Sequence, residues 1–198
     1  NLNLLLDSTG GYPDDAYKIA DVIHEFCDSL TVIIPFKAKS AATLLSLAGQ
    51  IILMGPLSEL GPCDPMIYVA ESLITPRGVP VTPSEVEEGK AKKEKKRQMN
   101  ALALRDFLEV AGILMRDDEG KIKGYDCEKL MPFCENGVLN PWLLGDFERS
   151  FKQASQFVEN LLRRYMLKDK PAKLELVPNI THRLAEGYYL HDYPISRR

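Results

Sequence analysis

Thr31–Gln50, TVIIPFKAKSAATLLSLAGQ, joins a short apolar strand to a small-residue helix with Ser40 at the junction. The β-branched run Thr31-Val32-Ile33-Ile34 is closed by Pro35. Behind it Ala41, Ala42, Leu44, Leu45, Leu47 and Ala48 cover nearly every side of a helix, as expected inside a domain. A serine at the first helical turn meets unsatisfied backbone N–H groups and the positive end of the dipole. Both favour an alkoxide or a tetrahedral oxyanion. The plain alternative is a helix cap, for which serine is among the favoured residues.

Working outward, Leu2–Leu6 reads as a buried strand ending in Asp7-Ser8-Thr9-Gly10-Gly11, with Pro13 opening the next helix. That helix is expected from Pro13 to about Ser29. Its apolar stripe is Ala16, Ile19, Ala20, Ile23, Phe26 and Cys27, and His24 belongs to the boundary or solvent side. Ile51–Met54 is a third strand. Strand, helix, strand, helix, strand in this order predicts right-handed βαβ crossovers and a parallel sheet, hence an α/β fold. In such a sheet both turns lie at the carboxyl edge, where ligands bind. The N–H groups of Gly10 or Gly11 and of Ala41 then form a candidate oxyanion hole for a carbonyl attacked by Ser40, and glycine leaves room for substrate backbone.

Further along, PLSELGPCDP (Pro56–Pro65) reads as a rigid loop, Met66–Ile74 as a short apolar piece and Thr75–Pro83 as a linker. A long helix is expected from Ser84, with Glu87 completing a capping box, to about Met115. Lys90–Arg97 holds six basic residues in eight positions, but Glu87, Glu88 and Glu94 interleave as on a solvated helix face. Arg116–Gly124 is a charged turn whose acidic residues lack the ligand alternation of a calcium loop. A loop carrying Cys127 and Cys134 follows, with Trp142 as a core anchor. The next amphipathic helix runs from about Asp146 to Met166 and buries Phe147, Phe151, Ala154, Phe157, Val158, Leu161 and Leu162. The final segment has a helix ending at Gly187 and a His191-Asp192-Tyr193-Pro194 turn.

The 198 residues carry 25 Lys+Arg against 28 Asp+Glu, a net charge of −3, so no global basic field argues for nucleic acid. Four cysteines without C-x-x-C spacing give no metal or redox motif, no cofactor is called for, and scattered thiols lean toward a reducing compartment. No apolar run reaches the ~20 residues of a membrane span, and no signal peptide is present. The chain opens inside a strand-like run and stops at Arg197-Arg198, the pattern of a piece of a longer chain whose upstream part would hold a first strand or a membrane anchor. The expected localisation is cytoplasmic or membrane-associated.

A serine nucleophile needs a base. His24, His182 and His191 do not follow Ser40 closely, although His182 or His191 can approach through folding. The alternative is a neutral, buried lysine. The exposed Lys90–Lys96 run does not suit that role, and Lys152, beside Phe151, is the better-placed lysine.

The segments LLLDSTGGYPDDAYKIADVI and PFKAKSAATLLSLAGQIILMGPLSELGPCDP, with DFERSFKQASQFVENLL and LAEGYYLHDYPI later, resemble the Clp protease/crotonase-like superfamily. Within it they are most similar to the serine dehydrogenase proteinase family, related to signal peptide peptidase A. The resemblance implies a layered spiral of ββα units with a parallel sheet, Asp-Ser-Thr-Gly-Gly as oxyanion turn and Ser40 as nucleophile. It also implies a homo-oligomer and a peptide or protein substrate bound extended alongside a strand. Arg149 stands where the family pattern has a lysine, and a guanidinium cannot serve as a base. The expected organisation is a core over 1–75, a helical insertion or cap over 76–141, and C-terminal helices over 142–198 completing the core. A Ser-Lys type serine peptidase is the leading expectation. A catalytically inactive peptide-binding or assembly module and a crotonase-like acyl-CoA enzyme are the alternatives.

Overall fold

The computed structural model describes residues 1–70, 96–135, 139 and 141–197. They fall into two compact units, Asn1–Pro65 with Phe151–Arg198, and Met66–Ser150.

The first unit is built on a parallel sheet of β1 (Leu2–Leu5), β2 (Leu30–Ile34) and β4 (Ile51–Met54), with β2 central. Leu4 pairs with Val32, and Val32 with Ile52. Helices α1 (Pro13–Phe26) and α2 (Ala41–Ser46) are the crossovers. Side chains alternate across a strand, so Leu30, Val32 and Ile34 point into the core while Leu5, Ile51 and Leu53 on the other face stay exposed. This corrects the expectation of a buried first strand: among the described residues the helices cover one face of the sheet.

Ala16, Ala20, Ala41, Ala42 and Ala48 are small enough to bring α1 and α2 into one core with Leu44, Leu47, Val158, Leu161, Leu162 and Val177. In α1 the buried stripe is narrower than expected, since Ile19 and Phe26 are exposed. The flank that packs is instead the opposite one, where Tyr17 stacks on Phe157 and His24 on Tyr165. His24 Nε2 also donates to the Ala48 carbonyl at 2.8 Å, which makes it a half-buried clasp between α1 and the turn that follows α2.

A second small sheet has the order β10 (Ile195–Ser196), β5 (Glu59–Leu60), β3 (Lys37–Ala38). The Pro56–Pro65 segment is therefore not wholly irregular: Glu59-Leu60 lies clear of the prolines and pairs on both sides, with Lys37-Ala38 and with Ile195-Ser196. Ser58 Oγ anchors the turn before it, donating to the Ile34 carbonyl at 2.6 Å and accepting from Gly55 N–H at 2.9 Å.

The second unit departs further from expectation. β6 (Met66–Ala70) pairs antiparallel with β7 (Lys96–Asn100), so the long helix does not run through 96–100. Asn100 instead caps α3 (Ala101–Val110), its side chain accepting from Leu102 N–H at 2.7 Å. The expected Ser84/Glu87 capping box, the Thr75–Pro83 linker and most of the basic run lie outside the described residues. β8 (Leu114–Arg116) and β9 (Ile122–Tyr125) form a hairpin around Asp117–Gly120, where a helix end and a charged turn were expected. Cys127–Glu135 is helix α4 rather than loop, and Trp142 is 80% exposed rather than a core anchor. The apolar anchor near it is Phe147, fully buried on α5 (Pro141–Leu161). Back in the first unit, the end of α5 continues into a π-helical turn over Leu162–Met166, and α6 (Val177–Glu186) ends at Gly187 as expected.

Candidate active site

At the carboxyl ends of β1 and β2 the two turns named by the sequence meet. A parallel bridge joins Ser8 to Ala38, with Ser8 N–H donating to the Lys37 carbonyl at 2.9 Å and Lys39 N–H to the Ser8 carbonyl at 3.1 Å. Gly10, at φ +120°, lies against the serine: a Cβ built there would sit 3.1 Å from Ser40 Cβ and 3.1 Å from the Lys39 carbonyl. No side chain fits that position without displacing the serine turn.

Ser40 has φ 52° and ψ −118°, the positive-φ non-glycine among the described residues. Such a conformation costs ~1–3 kcal/mol and persists only where the surroundings impose it. It occupies the N-cap position of α2, yet its hydroxyl makes no capping hydrogen bond. The cap reading therefore loses its physical content. A serine on a sharp, strained strand-to-helix turn presents Oγ outward, as in a nucleophile elbow. Among the described residues the N–H groups of Gly11 and Ala41 have no hydrogen-bond partner, whereas Gly10 N–H donates to Ser8 Oγ at 3.2 Å. Of the three expected oxyanion donors, Gly11 and Ala41 are thus the two open ones.

The residues weighed as a base stand in different surroundings. Lys152 is exposed on α5, without the burial that a neutral lysine base requires. His182 is exposed on α6, 4.0 Å from Glu186. His24 is committed to Ala48. His191, by contrast, has Nδ1 2.9 Å from Oδ1 of Asp64, whose side chain is 1% exposed. With a carboxylate as acceptor, Nδ1 carries the proton and Nε2 is left with its lone pair. The hydrogen bond it donates to Asp64 raises the imidazole above the ordinary histidine range, against the opposing effects of burial and the Lys39 cation.

Contacts on both sides tie the chain neighbours of this pair to the serine turn. Cys63, next to Asp64, has Sγ 3.9 Å from the Ser40 carbonyl, and Lys39, next to Ser40, donates from Nζ to the Asp192 carbonyl at 3.4 Å. Burial pushes the Cys63 thiol up, so it stays protonated and inert. β10 supplies the register: Ile195 pairs with Leu60 and Ser196 with Glu59, which returns the chain's last turn to the serine loop. His191 was one of the histidines weighed, but Asp64 and its pairing with His191 escaped sequence reading because 127 positions separate them. The usable signals were the aspartate of Gly-Pro-Cys-Asp-Pro and the histidine of His-Asp-Tyr-Pro, both inside segments that carried the family resemblance.

Comparison of the chain with protein-family models, with curated proteins and with solved structures gives no match. Among the described residues no cluster of His, Cys, Asp or Glu could hold a metal ion, and no helix is long and apolar enough to cross a membrane.

Proposed function

We propose that this chain is a serine hydrolase of the Clp/crotonase type, a peptidase acting on extended peptide, with Ser40 as nucleophile and His191, oriented by Asp64, as base. The observation that carries the reading is the strained backbone of Ser40 against the cradle of Gly10. His191 Nε2 takes the hydroxyl proton as Ser40 Oγ adds to the substrate carbonyl, and the N–H groups of Gly11 and Ala41 receive the oxyanion. The same imidazolium then gives its proton to the leaving amine as the C–N bond breaks. Water, deprotonated by His191, hydrolyses the acyl-enzyme and restores the serine. Asp64 remains ionised throughout and fixes the tautomer.

A crotonase-type enolate chemistry asks for a free carboxylate at the hole. The Asp64 carboxylate is engaged by His191, which favours hydrolysis. The test is fluorophosphonate labelling of the wild-type chain beside Ser40→Ala, His191→Ala and Lys152→Ala. Label on Ser40 that is lost in the first, slowed at least ~100-fold in the second and retained in the third supports the assignment. A folded wild type that takes no label refutes the hydrolase. Loss in Lys152→Ala with retention in His191→Ala returns the base to lysine.

A further inference from the structure

Lys39 is 7% exposed, an uncommon place for an ammonium group. Its Nζ lies 2.8 Å from Glu59 Oε1 and donates to the Leu60 carbonyl at 3.3 Å and the Asp192 carbonyl at 3.4 Å. Three acceptors match its three N–H bonds, and an ammonium so engaged has no lone pair with which to take the serine's proton. The stem is accommodated by Gly61, where a Cβ would stand 2.6 Å from Lys39 Cδ.

We infer that Lys39 is a positioning residue, whose buried ammonium ties the His191-Asp192 turn to the serine turn and holds the imidazole in register with Ser40. The inference rests on the serine-hydrolase reading. Its geometric basis is adjacency: Lys39 is covalently next to Ser40, and the carbonyl it holds belongs to the neighbour of His191. One side chain thereby closes a gap of 153 positions in sequence. The two anchors on the other side, Glu59 and Leu60, are the β5 residues that pair with β10, so the tie acts where the last segment docks. Burying an ion pair is a poor source of stability, because desolvation offsets most of the attraction. A methionine would fill the space without that cost but could not bind the Asp192 carbonyl. The charged groups facing His191 are Asp64, Asp192 and Lys39, the last balanced by Glu59.

The experiment follows fluorophosphonate labelling of the full chain over time, separating the rate constant at saturating probe, the half-saturating probe concentration and the final labelled fraction. In Lys39→Met the rate constant is expected to fall about tenfold or more, as for a base displaced by a fraction of the ~1 Å that costs ~100-fold. Half-saturation and final fraction should stay within about twofold of wild type. Lys39→Ala should regain rate with added butylammonium and not with butanol, which matches its shape without the charge. If Lys39→Met folds poorly, the double variant Lys39→Met/Glu59→Gln, which leaves no orphaned carboxylate, is measured in its place with the same expectation. A wild-type rate constant in either variant overturns the inference and leaves the hydrolase standing. A lowered final fraction with unchanged rate, or equal rescue by butanol, reduces Lys39 to packing and overturns it too. A wild type that takes no label on Ser40 removes the hydrolase reading and this inference together.

Discussion

Gly10 and Gly11 are neighbours in sequence and opposites in constraint, which makes them a matched pair of probes. Gly10 has φ +120°, a region that L side chains rarely adopt, and an added Cβ would press on Ser40 Cβ and the Lys39 carbonyl at 3.1 Å each. Gly11 lies outside the positive-φ set, and its added Cβ would meet nothing within 4 Å. The backbone term alone for Gly10→Ala is ~1–3 kcal/mol. For a chain of this size each kcal/mol lowers the melting temperature by roughly 2–4 °C, so a loss of about 2–12 °C is expected. The contact must also be relieved by moving the serine turn a few tenths of an ångström, and labelling of Ser40 should slow at least several-fold. Gly11→Ala keeps its N–H and should remain within about 1 °C and twofold of wild type. Thermal melts and labelling time courses on the two variants decide the matter. Equal effects at the two positions, or a Gly10→Ala protein indistinguishable from wild type, would refute the claim that Gly10 is the wall of the serine turn.

Three further outcomes follow from the same geometry. Thr43 is fully buried, with Oγ1 2.7 Å from the Ala38 carbonyl and accepting from Gly61 N–H at 3.1 Å; these two groups also bond each other at 3.1 Å and stay paired in Thr43→Val, which should therefore cost only ~0.5–1.5 kcal/mol in denaturant melts. Asp64→Asn removes the group that raises His191, so the acid limb of the labelling profile should move to lower pH while the plateau falls by orders of magnitude; a limb that stays in place would dissociate His191 from the profile. Because the native imidazole is raised above its unfolded value, its stabilising contribution is full below about pH 6.5 and fades as pH rises through the native value. His191→Ala should therefore lose more melting temperature at about pH 5.5 than at about pH 8.5, and a deficit independent of pH would contradict the assigned linkage.

Local pattern carried much of the first unit. The apolar runs Thr31–Ile34 and Ile51–Met54, the prolines and the glycine turn are short-range features, and strand, helix and turn preferences act over the same range. The second unit was less legible for the same reason. Lys96–Asn100 is charged and helix-compatible on its own, and becomes a strand only because β6 offers a partner for its backbone hydrogen bonds. Trp142 illustrates the complementary failure: a large aromatic side chain predicts burial on average, but its position on α5 turns it outward while Phe147 takes the interior.

By itself the sequence determined the parallel βαβ order, the meeting of the Gly10-Gly11 and Ser40 turns, and the serine as the residue to watch, because each follows from the periodicity and turn chemistry of consecutive elements. Only the tertiary structure decided that Ser40 is strained rather than capping, that Gly11 and Ala41 are the open donors, and that the histidine paired with Asp64 is His191. The last of these goes with β10 docking on β5 and with Lys39 reaching the Asp192 carbonyl. Contacts between distant positions are set by how packed elements return the chain to itself, and no local propensity encodes that distance.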